Sequence, residues 1–202
     1  MSVKIIIMGT VNLHKSPATR ILLMGVIFVW YSSGYAETSQ FTDPATGLLS
    51  WKSVNNGFSL QLIQLHPDYV TAVYNSRGLP QKLIDGVLKY CVFGTIVKNE
   101  SNKIVSYKVA EWSYTTMDGK THAVKPKSEW LKEWEAMGVN YRWSLLADDQ
   151  TFYSGDWIQG FTTIAAKPGD SFDFHYRWIY DGKPFENTLK AIRCASSKEN
   201  AK

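Results

Sequence analysis

Two cysteines and four histidines in 202 residues leave little material for reactive or metal-binding chemistry. Beyond the first 36 residues only His66, His122 and His175 remain, and no two stand at the short spacing of a zinc motif. No serine sits in a Gly-x-Ser-x-Gly elbow, and no glycine-rich stretch has the form of a phosphate-cradling loop. Asp148, Asp149 and Asp156 lack the residue order of an EF-hand, so a solvated turn accounts for them. An excess of one charge is missing too. Three of the 22 basic residues, Lys4, Lys15 and Arg20, precede every acidic residue, which leaves 19 against 18 in the rest. Such a balance gives no concentrated basic footprint, and nucleic acid is not an expected partner. No cofactor is expected either.

What is present at the start is an export signal over residues 1–36. Arg20 precedes an uncharged apolar core of eleven residues, Ile21 to Tyr31, and Gly34-Tyr35-Ala36 puts small residues at the −3 and −1 positions of a cleavage site after Ala36. The run stops short of the roughly 20 residues of a spanning helix. The alternative is an uncleaved anchor, the one route by which this chain would meet a membrane. No cysteine follows the run to accept a lipid. Location is therefore expected to be periplasmic or secreted.

About 166 residues remain after cleavage, the size of one domain. Residues 37–56 are polar and small and are expected to be loosely ordered, residues 57–195 to form a single sandwich domain, and residues 196–202 a polar tail. The pattern is clearest from Ser171 to Tyr180. Phe172, Phe174, Tyr176, Trp178 and Tyr180 alternate with Asp173, His175, Arg177 and Ile179, the period-2 signature of a strand with one aromatic face. Asp181-Gly182 supplies a hairpin turn, and the return run ends at Cys194. Similar alternation predicts strands over residues 57–65, 87–98, 104–114, 139–147 and 157–165, with a loop over 148–156. Two short helices are expected, one from Pro67 to Gly78 and one from Pro126 to Gly138 with Ser128 as its N-cap. The second carries Trp130 and Trp134 on an apolar stripe.

The fold class that follows is all-β with two short helices: an antiparallel sandwich of the immunoglobulin-like kind, or alternatively a small closed barrel. The strand spacing resembles that of exported immunoglobulin-like domains. Cys91 and Cys194 are expected to form a disulfide between an early strand and the last one. Asn99-Glu100-Ser101 matches a glycosylation acceptor in a turn.

For function the sequence supports a non-catalytic, exported, protein-binding or assembly module of the cell envelope. An edge strand or the segment from Asp148 to Gly160 would meet the partner. A carbohydrate-binding module is the alternative, with Trp130, Trp134, Tyr153 and Trp157 as a stacking platform. A hydrolase of envelope sugars is another, with Glu111, Glu129, Glu133 and Asp156 as unranked carboxylates. Asp173, His175 and Arg177 project together from the last strand but one, where His175 would make a binding patch pH-sensitive.

Overall fold

The computed structural model describes residues 37–44 and 46–196; the expected export signal over residues 1–36 and the tail beyond Ser196 lie outside the described residues. Two antiparallel sheets face each other, and neither closes into a barrel. The first contains β1 (Glu37–Thr42), β2 (Leu49–Asn55), β3 (Phe58–Gln64), β4 (Cys91–Asn99) and β9 (Trp157–Ile164), hydrogen-bonded in that order. The second is built on β10 (Ser171–Tyr180). One side of β10 pairs along its whole length with β11 (Lys183–Arg193), and the other pairs with β5 (Val105–Lys108) and β6 (Ser113–Thr116). β7 (Thr121–Ala123) extends β6, and β8 (Asp149–Phe152) extends β5.

The aromatic alternation of β10 is the organising feature. Phe172, Phe174, Tyr176 and Trp178 are buried between the sheets, where Phe58 of β3 stacks on Trp178 with ring centroids 5.2 Å apart. A strand with one apolar face must bury that face, and here the first sheet does so with Trp51, Phe58, Leu60, Leu62, Phe93 and Val97. Asp181 and Gly182 adopt φ of 49° and 76°, as a two-residue hairpin turn requires. Cys91 at the head of β4 and Cys194 just past β11 are bonded, with Cα atoms 5.5 Å apart, so the disulfide joins the two sheets.

A second apolar cluster lies on the outer face of the first sheet, under α1 (Pro67–Asn75), α2 (Gln81–Val87) and α3 (Lys127–Ala136). Trp130 and Trp134, one helical turn apart on α3, are both buried there. The Trp130 indole N–H donates to Thr163 Oγ1 on β9 at 3.0 Å, and the Lys125 ammonium sits 3.7 Å from its ring centroid. Tyr74 of α1 is also buried. Its hydroxyl shares a 2.8 Å hydrogen bond with Ser144, and burial pushes its pKa up to about 12.

Several expectations are corrected. Residues 37–55 are not a loose start but form β1 and β2, with Trp51 2% exposed in the core. The signal for them was Asn56-Gly57, a hairpin dipeptide with φ of 42° and 74°. A Cβ at Gly57 would stand 2.6 Å from Ser101 Oγ, so glycine is required there on steric grounds as well. Gln81–Val87 form α2 before β4 begins, with Pro80 at its N-cap. The long strand from Ile104 to Tyr114 is split by a 3₁₀ turn, Val109–Glu111, that lets both halves pair with β10 while Trp112 turns inward. Pro126, not Ser128, caps α3; the Ser128 N–H donates to the Asp148 carboxylate instead. Residues 139–147 form no strand and touch β9 only through one bridge, Leu145 to Phe161, leaving Trp143 86% exposed. Part of the expected 148–156 loop is β8. Asn99 of the glycosylation motif is wholly buried, and a buried amide cannot carry a glycan in the folded protein.

Candidate binding face at one end of the sandwich

Four connections meet at one end of the molecule: the β2–β3 turn, the β4–β5 loop, the β8–β9 turn and the β10–β11 turn. Asn99, the last residue of β4, holds two of them together, the β4–β5 loop and the β8–β9 turn. Its side-chain Nδ2 donates to the carbonyls of Lys103 (2.6 Å), Tyr153 (3.1 Å) and Phe152 (3.3 Å), while Oδ1 accepts from the Ser101 N–H (2.9 Å) and hydroxyl (2.8 Å). Its backbone N–H donates to Asp156 O, and its carbonyl accepts from the Gly155 N–H. All of its polar groups are thus satisfied inside the protein, as a fully buried amide demands. Neighbouring bonds extend the lattice: Glu100 N–H to Gly57 O at 2.8 Å, and Asp181 N–H to Ile104 O at 3.0 Å. Asp156 fixes its own turn, its carboxylate accepting the Tyr153 N–H at 2.8 Å.

On this fixed framework three large apolar side chains remain outside: Ile104 at 51% exposure, Tyr153 at 67% and Trp157 at 59%. Ion pairs flank them, Lys98 to Glu100 at 3.0 Å and Lys103 to Asp181 at 3.4 Å. Exposed apolar side chains beside ion pairs, on turns that need no ordering, are surface that a partner could cover at little ordering cost.

The remaining residues predicted from sequence are distributed elsewhere. Trp130 and Trp134 do not join Tyr153 and Trp157 in a stacking platform, because they are core of the helical layer. Asp173, His175 and Arg177 do share the outer face of β10, and each is engaged by a neighbouring strand. Asp173 accepts the Lys190 ammonium (2.7 Å) and the Ala191 N–H (3.0 Å), where β11 bulges and Ala191 takes φ of 53°. Burial works to raise the Asp173 carboxyl, but these two partners outweigh it and hold it below the ordinary range. Both His175 ring nitrogens meet threonine hydroxyls, Thr115 at 2.8 Å and Thr188 at 2.9 Å. Arg177 lies 3.6 Å from Glu186. This row links β6, β10 and β11 across the uncovered face of the second sheet.

The chain matches no protein-family model and no curated protein. Of the four carboxylates considered for sugar hydrolysis, Glu111 lies on the 3₁₀ turn, Glu129 and Glu133 on α3, and Asp156 on the β8–β9 turn. Glu133 is paired with Lys125 at 2.6 Å. Sequence reasoning missed Ile104, placed inside a strand, and Trp143, placed on another. For Ile104 the signal was its position directly after a polar turn, where a strand has not yet entered the sheet. A groove of about 240 Å³ lined by Leu131, Glu135, Asn140, Tyr141 and Arg142 lies at the C-terminal end of α3, and Trp143 is the residue after Arg142.

Proposed function

We propose that this protein is an exported, non-catalytic β-sandwich of the cell envelope that binds another protein through the end carrying Ile104, Tyr153 and Trp157. The observation that carries the reading is the exposure of these three side chains on turns locked by the buried amide of Asn99. Large rings are worth most to a partner when the backbone beneath them is already ordered. The intersheet disulfide supports export, since such bonds persist in oxidising compartments. Among the described residues no helix is long and apolar enough to cross a membrane.

The test is affinity capture from envelope extracts with wild-type protein, Trp157→Ala, Tyr153→Ala and Trp143→Ala, followed by direct titration of the captured protein. A ring at the centre of an interface contributes on the order of 2 kcal/mol, or roughly 30-fold in affinity. Trp157→Ala should weaken binding by that factor with an unchanged melting temperature, and Trp143→Ala should leave it intact. Equal binding by wild type, Trp157→Ala and Tyr153→Ala overturns the assignment. A second reading, saccharide binding, is favoured by Trp143 and the polar lining of the nearby groove, since an exposed ring can stack on a sugar. Its test is retention on envelope glycans that Trp143→Ala abolishes and Trp157→Ala does not.

A further inference from the structure

The edges of the two sheets are not equally defended against pairing with another strand. β11 carries Lys183, Pro184, Lys190 and Arg193 and is bulged at Ala191; proline, lysine and bulges are the usual means of blunting an edge. The β9 edge is occupied at Phe161, whose carbonyl accepts the Leu146 N–H and whose N–H donates to Ser144 O, and the Leu146 backbone closes against Gly160. β7 and β8 are only 3 and 4 residues long. β1 differs from all of these. It pairs with β2 in six consecutive, unshifted positions and contains neither lysine, proline nor bulge, and residues 38–42 are all exposed.

We propose that β1 is a self-association edge, pairing antiparallel with β1 of a second copy of this chain to make one continuous ten-stranded sheet. Symmetry limits the register. A two-fold axis normal to the sheet keeps each residue on its own face, so residues directly opposite must have the same parity. Two registers put the axis within the middle of the strand, centred on Ser39 or on Gln40. Centring on Gln40 sets Glu37 opposite Asp43 of the second copy, a like-charge clash. Centring on Ser39 sets Ser39 opposite its own copy, Thr38 opposite Gln40 and Glu37 opposite Phe41, with no charges opposed. The Ser39 register is the one the sequence favours, since it lets a second copy pair along the strand with no like charges opposed. It also has a geometric consequence. Cross-strand register runs from Glu37 through Val54, Ser59 and Lys98 to Trp157, so the Trp157 end of each copy lies at the Glu37 end of the sheet. The dimer would present its two Trp157 ends in opposite directions.

Sedimentation of the purified protein over a concentration series should show a monomer–dimer equilibrium. Ser39→Lys, which puts like charges opposite each other, should shift that equilibrium toward monomer by several-fold at an unchanged melting temperature. Ser39→Cys should oxidise to a covalent dimer at least roughly tenfold faster than Gln159→Cys, an exposed position on β9 at the far edge of the same sheet, because opposite residues of paired strands are held at disulfide distance. A protein that stays monomeric throughout, or a Ser39→Cys dimer that forms no faster than Gln159→Cys, overturns the proposal. Rapid cross-linking through Gln40→Cys in place of Ser39→Cys overturns the register.

Discussion

Replacing Asn99 probes the lattice beneath the proposed binding face without touching its surface. Nδ2 carries two hydrogens shared among three carbonyls, and Oδ1 accepts two more bonds, so four hydrogen bonds are lost in Asn99→Ala. At about 1 kcal/mol each the ceiling is about 4 kcal/mol, and carbonyls near the surface that regain water lower it to about 2–4 kcal/mol. Asn99→Asp is the sharper variant, since it has the same shape but aims a charge at the carbonyls of Lys103, Phe152 and Tyr153. Its carboxyl pKa in the folded state is expected to rise above the unfolded value of about 3.9, because burial and carbonyl dipoles both oppose ionisation. Stability therefore falls as pH rises through that value and reaches its full penalty only above the folded pKa. Urea unfolding followed by tryptophan fluorescence should find Asn99→Asp less stable than Asn99→Ala at pH 7, with the order narrowing or reversing near pH 4. Hydrogen exchange should quicken at residues 99–104 and 153–156 in both. A loss below about 1 kcal/mol for Asn99→Ala, or an Asp variant as stable as wild type at pH 7, would refute the argument that this amide holds the turns.

Three further outcomes follow from other parts of the fold. Replacing both cysteines, Cys91→Ala with Cys194→Ala, removes a cross-link over a sequence separation of 103 and should cost roughly 2–4 kcal/mol in urea unfolding; a change under about 1 kcal/mol would mean that the sheets hold each other without it. Gly160→Ala would drive a methyl group into the Leu145–Leu146 backbone along the β9 edge, so a loss of about 1–3 kcal/mol and faster amide exchange at Leu146 are expected. Asp173 has a depressed pKa, so its contribution is present above the ordinary aspartate value of about 3.9 and is lost as pH falls through the lower folded value. Asp173→Asn should accordingly be less stable than wild type at pH 7 and converge on it in acid, as thermal melts at stepped pH would show.

How much of this structure could be read from sequence depended on how deeply each element is buried. β10 was legible because every second residue enters the core and every intervening one meets water or a neighbouring strand. β3 and β4 were legible for the same reason, since both lie within the first sheet. β1 and β8 were not, because an edge strand with one or no buried side chain has no apolar period to detect. Residues 139–147 misled in the opposite direction. Tyr141, Trp143 and Leu145 alternate as a strand would, yet Tyr141 packs on Tyr74 and Trp134, Trp143 faces solvent, and Leu145 alone reaches β9. α2 was hidden because Leu83, Ile84 and Val87 run into the apolar residues of β4, and only Pro80 marked the break.

The same physics separates core from site among the tryptophans. Trp51, Trp112, Trp130, Trp134 and Trp178 are each at most 2% exposed and are accounted for by packing between the sheets or under the helices. Ring content is thus mostly a property of the core, and a platform inferred from clustering along the chain selected two core residues, Trp130 and Trp134. Trp143 and Trp157 are the two in the described residues that packing does not use. Burying a tryptophan removes up to about 250 Å² of surface from water, so leaving one exposed forgoes several kcal/mol that the core would have gained. For Trp157 that surface stands on turns already fixed by Asn99 and Asp156, where a partner would recover it without ordering the backbone. Trp143 also stands on a pinned connection, since the next residue, Ser144, accepts the Phe161 N–H at 2.7 Å through its carbonyl and shares a 2.8 Å hydrogen bond with Tyr74 through its hydroxyl. What ranks the Trp157 end first is that Ile104 and Tyr153 are exposed on the same interlocked connections.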